Sequence, residues 1–285
     1  MITFSNILID GLAYGMVLFV IAVGLSVTLG LMRFVNLSHG AFAMVGGYCV
    51  ALLTRELQWS FWIAVPLAVL ATGLLGALLE ALVLRHLYQR KELDQVLFTI
   101  GLTFVLIAST NALVGPQVQM VQLPPSLSGS VDLGFRTLPA QRLLVIGVGL
   151  AVAVLAALTV TRTRFGIWLR AAVAHAGTAS TLGIPIRRVQ CLTFAAGAAM
   201  AGLGGVLGAE VMPLEPYYAL KYLVLVLVVV AVGGMGSIAG SLCAAIVLGL
   251  IETASKYLAS DWGSLFFFAA MALFLAWRPN GLLKR

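Results

Sequence analysis

Residues 222–251 read YLVLVLVVVAVGGMGSIAGSLCAAIVLGLI and contain no charged side chain. As one helix this run would be about 45 Å long at 1.5 Å per residue. That is too long for one crossing of a bilayer whose hydrocarbon core is about 30 Å thick, and too short for two crossings with a loop. The glycine-rich stretch 233–240, GGMGSIAG, interrupts the run. We therefore predict one helix that enters near Tyr217 and ends at this stretch, and a second helix over 238–258 that crosses back.

The composition of the whole chain agrees with this membrane interpretation. Of 285 residues, 61% are hydrophobic and only 9% are charged, and the mean hydropathy is +1.08. A soluble domain is about 25% charged, so we predict an all-α, polytopic transmembrane helical bundle. The three cysteines are scattered singly, which indicates neither a disulfide framework nor a metal cluster. The net charge of +7 does not indicate nucleic-acid binding, because basic residues of membrane proteins mark their cytoplasmic side.

Further apolar runs predict the remaining helices of a bundle with about eight to nine hydrophobic segments, some broken or re-entrant. The predicted spans cover 11–32, 61–84, 95–114, 143–161, 189–209 and 262–277. A shorter run, 41–54, is only about 21 Å long as a helix and follows the polar cluster NLSHG at 36–40. Either this helix continues through the polar cluster, or it begins part-way into the membrane. The proline-containing stretch 115–142 is predicted to be an extramembrane loop.

The distribution of basic residues predicts the orientation. Most of the 17 basic residues fall at Arg33, in the loop 85–94, in the segment 162–188 and in the C-terminal tail. Basic residues are enriched in cytoplasmic loops, so we expect the N-terminus outside and the C-terminus inside. Since no basic region precedes the first apolar run, we do not expect a cleaved signal peptide.

The two halves of the chain each contain a shortened, glycine-interrupted segment: NLSHGAFAMVGG at 36–47 and VGGMGSIAGS at 232–241. Non-helical backbone at membrane depth is tolerated where it is buried in protein or lines a cavity, and paired interruptions indicate a substrate path. Alternatively, the glycines only permit close helix packing. The predicted path residues are Asn36, Ser38, His39, Gly40, Gly233, Gly234, Gly236 and Ser237.

Three ionisable residues fall within apolar segments: Glu80, Glu252 and His39. Such residues are functional candidates. However, Glu80 lies only five residues before Arg85, so the simpler explanation is that it reaches the membrane interface. Lys256 follows Glu252 at i+4, so a local helix pair is the simpler explanation for Glu252. His39 lies within the first interruption.

No pattern for catalysis is found in the sequence. It contains neither a GxxxxGK[ST] phosphate loop nor a GxSxG elbow, and its histidines lack zinc-site spacing. We expect a non-enzymatic chain with no catalytic residue, metal or cofactor. A secondary transporter coupled to an ion gradient through Glu80 or Glu252 is one candidate function. A non-transporting assembly subunit is another.

The long polar interruption at 162–188 reads RTRFGIWLRAAVAHAGTASTLGIPIRR, with five arginines and no acidic residue. A short helix is predicted over 171–181, ended by Gly183 and Pro185. This basic segment is either a docking surface or simply a cytoplasmic loop that topology requires.

Four motifs carry a resemblance. GLMRFVNLSHGAFAMVGGY at 30–48, TRFGIWLRAAV…LGI at 163–184, GGMGSIAG at 233–240 and RPNGL at 278–282 occur in this order. The chain resembles branched-chain amino-acid ABC transporter permeases of the LivH type over essentially its whole length. The resemblance implies a single permease domain, 1–285, in the bacterial inner membrane. It implies a second LivM-like permease, two cytoplasmic ATP-binding subunits and a periplasmic substrate-binding protein as partners. Relatives include transporters of urea, short amides and aromatic acids, so a related small solute is an open alternative.

The resemblance also implies that 162–188 couples the permease to an ATPase. The residues that match the family pattern there are Arg164, Gly166, Arg170, Ala171, Leu182, Gly183 and Ile184. The stretch 174–181 departs from the pattern, because it lacks the acidic residues usual in the family. We therefore expect docking to depend on shape and backbone contacts more than on ion pairs. Residues 36–40 match the family pattern N-x-[AS]-H-G.

Overall fold

The computed structural model describes residues 2–32, 34–132, 137–258, 262–277 and 281. Over these residues the chain is almost entirely helical. Twelve α-helices are found in the described ranges: α1 Ile2–Met32, α2 His39–Arg55, α3 Phe61–Leu82, α4 Glu92–Val114, α5 Pro125–Ser128, α6 Ala140–Arg162, α7 Arg164–Ala174, α8 Ala176–Thr181, α9 Ile186–Gly208, α10 Tyr218–Gly233, α11 Ile238–Leu258 and α12 Gly263–Trp277. Two short antiparallel strands, β1 Ser130–Asp132 and β2 Thr137–Pro139, lie in the connection between α4 and α6.

Six of the helices are long and apolar enough to cross a membrane: α1, α3, α4, α6, α9 and α11. The helices α2, α10 and α12 are shorter, at 17, 16 and 15 residues. These nine segments confirm the predicted polytopic helical bundle with some shortened members. The predicted first span was too short, because the helix begins at residue 2 rather than at residue 11. Its early polar turn is stabilised by contacts of Asp10, which pairs with Arg142 at 3.0 Å and accepts a hydrogen bond from Tyr257 at 2.8 Å.

The core of the bundle is built around α1 and α9. The most apolar 18-residue window of α1 is 89% buried, whereas those of α3, α4 and α6 are only 22%, 17% and 17% buried. Glycines allow α1 and α9 to approach closely: a Cβ atom at Gly24 would lie 2.5 Å from the carbonyl oxygen of Gly197. Small residues at such crossings permit backbone-to-backbone packing, so part of the glycine content serves packing alone.

The two ends of the bundle differ. We call the end that holds the start of α1 the N-terminal end. The other end, where the predicted coupling segment forms α7 beside α1 and α8 beside α9, is called the coupling end. There Val27 of α1, Leu169 of α7 and Val189 of α9 form a small apolar cluster. Arg33 and the basic residues of the tail, which entered the orientation prediction, lie outside the described residues.

The structure confirms the interruption within 222–251. Helix α10 ends at Gly233, and α11 begins at Ile238. Gly234 and Gly236 adopt φ values of 91° and 81°, a left-handed region that side-chain-bearing residues rarely enter. The Ser237 side chain accepts a hydrogen bond from the Gly240 amide at 3.0 Å, which satisfies one of the free N–H groups at the start of α11.

Candidate functional site

The first interruption is a non-helical segment, 34–38, that runs along one face of α4. The Val35 amide donates to the Gln95 side-chain oxygen at 3.1 Å, and the Leu37 amide donates to the Thr99 hydroxyl at 3.1 Å. The Thr103 hydroxyl donates in turn to the Leu37 carbonyl at 3.3 Å. Buried backbone polar groups need partners. Because segment 34–38 is not helical and cannot form helical hydrogen bonds of its own, side chains of α4 supply these partners.

The supporting residues on α4 were missed from the sequence. Gln95, Thr99 and Thr103 are all buried and are spaced four apart, so they lie on one face of the helix. The signal that would have found them is this polar stripe in an otherwise apolar span. The amide of Gln95 also donates to the carbonyls of Leu87 and Arg90, which ties the start of α4 to the preceding loop.

The polar residues of the first interruption are buried and mostly bonded to their own chain. The Asn36 side-chain oxygen accepts from the Ser38 amide at 3.0 Å and from the Ser38 hydroxyl at 2.6 Å. The ring nitrogen Nε2 of His39 lies 2.8 Å from the carbonyl oxygen of Ile21, so this nitrogen carries the proton and donates. The Asn36 side-chain nitrogen is buried and has no partner within the described residues.

The short helix α2 starts at His39, so it does not continue through the polar cluster. The helix thus begins within the cluster, at its fourth residue, where His39 lies beside Ile21 of α1. A Cβ atom at Gly40 would overlap the carbonyl oxygen of Ala219. The start of α2 therefore packs directly on the start of α10, and only glycine fits at that contact.

The second interruption lies at the opposite end of α10. Ala219 and Gly233 are fourteen residues apart on this helix, or about 21 Å. A Cβ atom at Gly30 would overlap Gly236, so the C-terminal part of α1 packs on the second interruption. The Met235 side chain is 70% exposed. The eight predicted path residues thus form two separate groups, one at each end of α10.

Both membrane carboxylates have a basic partner nearby in the chain, although the sequence predicted such a pair only for Glu252. Glu80 lies 3.5 Å from Arg85 and accepts a hydrogen bond from the Tyr88 hydroxyl at 3.2 Å. Burial and the neighbouring Glu80 carboxylate raise the pKa of Tyr88 well above its ordinary value, which keeps this hydroxyl a donor. Glu252 lies 2.9 Å from Lys256.

The segment 162–188 folds as two helices, α7 and α8, and not as one helix over 171–181. Helix α7 starts earlier because Thr163 accepts a hydrogen bond from the Gly166 amide at 3.1 Å and caps it. A Cβ atom at Gly166 would overlap the Val160 carbonyl oxygen, and Arg170 donates a hydrogen bond to that same oxygen. These contacts fix α7 to the end of α6.

Helix α8 ends at Thr181, as predicted, and Gly183 follows it. This glycine adopts a φ of 83°, and the amides of Gly183 and Ile184 donate to the carbonyls of Ser180 and Ala179. This is the usual glycine-ended termination of a helix. Ile184 then packs on the apolar cluster at the coupling end, whereas Leu182 is 77% exposed.

The arginines of 162–188 are available to a partner. Every one of them is exposed, and none forms an ion pair with an acidic residue in the described part of the chain. Ala171 is half-buried, and its neighbour Ala172 packs on the apolar cluster of Val27, Leu169 and Val189. The segment is thus held by apolar contacts on one side and presents a basic surface on the other.

The fold defines a class of protein: a multi-pass helical membrane protein with discontinuous helices. No group of three or more potential metal ligands is found among the described residues. A family model described as "Branched-chain amino acid transport system / permease component" matches residues 7–275. The chain therefore belongs to this family of permease components, which are transport subunits of the inner membrane rather than catalysts.

Individual relatives cover nearly the whole chain. The chain is 28% identical to the high-affinity branched-chain amino acid transport system permease protein LivH of Escherichia coli strain K12, over 99% of this chain and 96% of the relative. It is 25% identical to BraD of Pseudomonas aeruginosa, over 98% and 95%, and 29% identical to LivM of Escherichia coli strain K12, over 94% and 68%. No solved structure gives a significant match.

Proposed function

We propose that this chain is a permease subunit of an ATP-driven importer of branched-chain amino acids. The observation that carries the proposal is the match to permease components over residues 7–275, together with relatives whose names specify branched-chain amino acid transport. The interrupted helices α2 and α10, which pack on each other in the core, agree with a substrate-conducting bundle.

In the proposed complex, residues 1–285 act as one permease domain and the segment 162–188 couples it to an ATPase. An ATPase that moved this segment would displace α6 through the Gly166 and Arg170 contacts with Val160. It would also displace α1 and α9 through the cluster of Val27, Leu169 and Val189. Because α1 contacts both interruptions, the movement would reach His39 through Ile21 and Gly236 through Gly30.

The proposed complex contains a second, LivM-like permease, two ATP-binding subunits and a substrate-binding protein. The chain is oriented with its N-terminus outside and its C-terminus inside, so the coupling end faces the ATPases. The connection 209–217 lies at the N-terminal end, where the binding protein would dock. Substrate would pass along α10 between the two interruptions.

The ion-gradient alternative has less support. Glu80 is held by Arg85 and Tyr88, and Glu252 is held by Lys256. Each carboxylate thus already has a basic partner within the chain, as expected for a structural ion pair.

The test is reconstitution of the complete complex in proteoliposomes, with ATP inside and labelled L-leucine outside. We expect uptake that requires ATP and both ATPase subunits. Gly183→Pro should uncouple ATP hydrolysis from uptake, because proline cannot adopt a φ of 83° and lacks the amide that donates to Ser180. Gly177→Ala is the matched control, since open space surrounds Gly177 in the same segment. Uptake driven by a proton gradient without the ATPases would refute the proposal.

A further inference from the structure

A cavity of about 400 Å³ lies at the N-terminal end of the bundle, between α1, α10, α11 and α12. None of the eight predicted path residues lines it. Its volume lies within the range of about 300–1,000 Å³ that is typical of small-molecule sites. The cavity is therefore a separate candidate site in the bundle.

The cavity combines one carboxylate with two ammonium groups. Glu252, on α11, is only 9% exposed and lies 2.9 Å from the Lys256 ammonium, which is 55% exposed. The second ammonium belongs to Lys221, on α10, which pairs with Glu215 at 2.6 Å. Ionisable residues in membrane helices carry a desolvation penalty and are functional candidates.

Aromatic rings hold both lysines at the cavity. The Lys256 ammonium lies 5.4 Å from the centroid of the Tyr14 ring, and the Lys221 ammonium lies 5.5 Å from that of Tyr222. Ammonium groups at this distance from a ring are attracted to it. The two positive charges are thus placed on two different helices that line one cavity, with the Glu252 carboxylate beside one of them.

The rest of the lining is apolar. Leu225 of α10 and Phe267 and Phe268 of α12 supply hydrophobic surface close to these charges. A ligand that fits both surfaces carries a negative group, a positive group and a small hydrophobic side chain. A fully apolar ligand would remove the Glu252–Lys256 and Lys221–Glu215 pairs from water without forming hydrogen bonds to them. A second charged group on the ligand would be buried against Leu225 and Phe267 without a partner.

We propose that this cavity binds the zwitterionic head group and apolar side chain of a free amino acid. The inference rests on the import function proposed above and names the site where the permease itself recognises its substrate. The Glu252 carboxylate accepts hydrogen bonds from the α-ammonium group of the ligand. Lys221 and Lys256 donate to its carboxylate, and its side chain packs on Leu225 and Phe267.

The test is equilibrium binding of labelled L-leucine to the full permease complex in nanodiscs, without the substrate-binding protein. Two competitors each lack one charge: 4-methylpentanoate has no ammonium group, and 3-methylbutylamine has no carboxylate. We expect each to bind at least about tenfold more weakly than leucine, because a hydrogen bond to a charged group is lost. Equal affinity of leucine and either competitor would overturn the proposal, as would the absence of leucine binding to the unmodified complex.

Charge-removing variants assign the two ends of the ligand. Glu252→Gln should weaken leucine binding by about tenfold and leave the affinity for 4-methylpentanoate unchanged. Lys221→Met should weaken leucine binding and leave the affinity for 3-methylbutylamine unchanged. Leu225→Phe fills part of the cavity without altering a charge and should also weaken leucine binding. This variant still tests the proposal if a charge variant does not assemble.

Glu80→Gln is the matched control, because Glu80 is a buried carboxylate paired with a basic residue outside this cavity. Leucine binding should be unchanged in this variant. If the unmodified complex fails to import leucine with ATP, the proposed function is wrong. If it imports leucine while the assembled Glu252→Gln, Lys221→Met and Leu225→Phe complexes bind leucine normally, only the assignment of this cavity is wrong.

Discussion

The two interruptions look alike in the sequence but are stabilised in different ways. The first, at 34–38, is buried and takes its hydrogen bonds from Gln95, Thr99 and Thr103 on a distant helix. The second, at 234–237, is stabilised by its own left-handed glycines and by Ser237, and Met235 beside them is exposed. A glycine-rich break in a membrane helix therefore has at least two physical solutions. One depends on another helix, and the other depends on local backbone conformation.

This difference matters for transport. Non-helical backbone needs protein or a water-lined cavity around it at membrane depth. The first interruption meets that requirement within this chain. The second exposes part of its surface at Met235, and we propose that this surface faces the second permease or the substrate path of a complete transporter.

The largest effect on stability is expected when the support of the first interruption is removed. Gln95→Leu combined with Thr99→Val leaves the Val35 and Leu37 amides buried without acceptors. Each unsatisfied group costs about 1–3 kcal/mol, so the loss of both acceptors should lower the unfolding free energy of the detergent-solubilised chain by about 2–6 kcal/mol.

Thr110→Val is the matched control for that experiment. The Thr110 hydroxyl donates only to the Leu106 carbonyl of its own helix, so its loss should change the unfolding free energy by less than about 1 kcal/mol. Equal effects of the two changes would show that α4 does not specifically support the first interruption.

A smaller effect is expected at the contact of α1 with the second interruption. Gly30→Ala places a methyl group where it overlaps Gly236, and overpacking of this kind costs about 1–3 kcal/mol. Gly147→Ala, with open space around it in α6, should be neutral or slightly stabilising, because alanine favours helices. The difference between the melting temperatures of the two variants measures how closely Gly30 packs on Gly236. Equal melting temperatures would contradict this close contact.

Gly183→Ala separates the effect of backbone conformation from the effect of space. Nothing lies within 4 Å of a Cβ atom there, but φ is 83°. The left-handed conformation costs a non-glycine residue about 1–2 kcal/mol. We expect a loss of that size in thermal unfolding. A neutral result would mean that the backbone around residue 183 adopts another conformation in the variant. It would also mean that a left-handed glycine alone is not what stabilises the turn after α8.

The smallest effect is expected at Met235, whose side chain is mostly exposed. Met235→Ser should change the unfolding free energy of the isolated chain by no more than about 0.5 kcal/mol. The corresponding change in the first interruption, Leu37→Ser, is expected to be larger, because Leu37 is only partly exposed between α2 and α4. A larger loss of unfolding free energy in Met235→Ser than in Leu37→Ser would show that the second interruption, not the first, is the more tightly packed.

Much of the fold could be predicted because it depends on local sequence. The interruption at 233–240 followed from the length of an uncharged run and its glycines, and the pair Glu252–Lys256 followed from helical spacing. The helix bounds at residue 2 and at Arg164 were missed. In both places, polar residues that suggested a loop are stabilised in a helix by Arg142, Tyr257 and the Thr163 cap.

By itself, the sequence determined the class of fold, the helix breaks and the family, because hydrophobic length, glycine runs and ordered motifs can be read along the chain. Only the tertiary structure decided which interruption is buried, since Leu37 and Thr99 are 62 positions apart. It also decided that Lys221, Tyr14 and Glu252 line one cavity. Hydrogen bonds and cavities form between helices whose neighbours are fixed by packing, and that packing leaves no local pattern in the sequence.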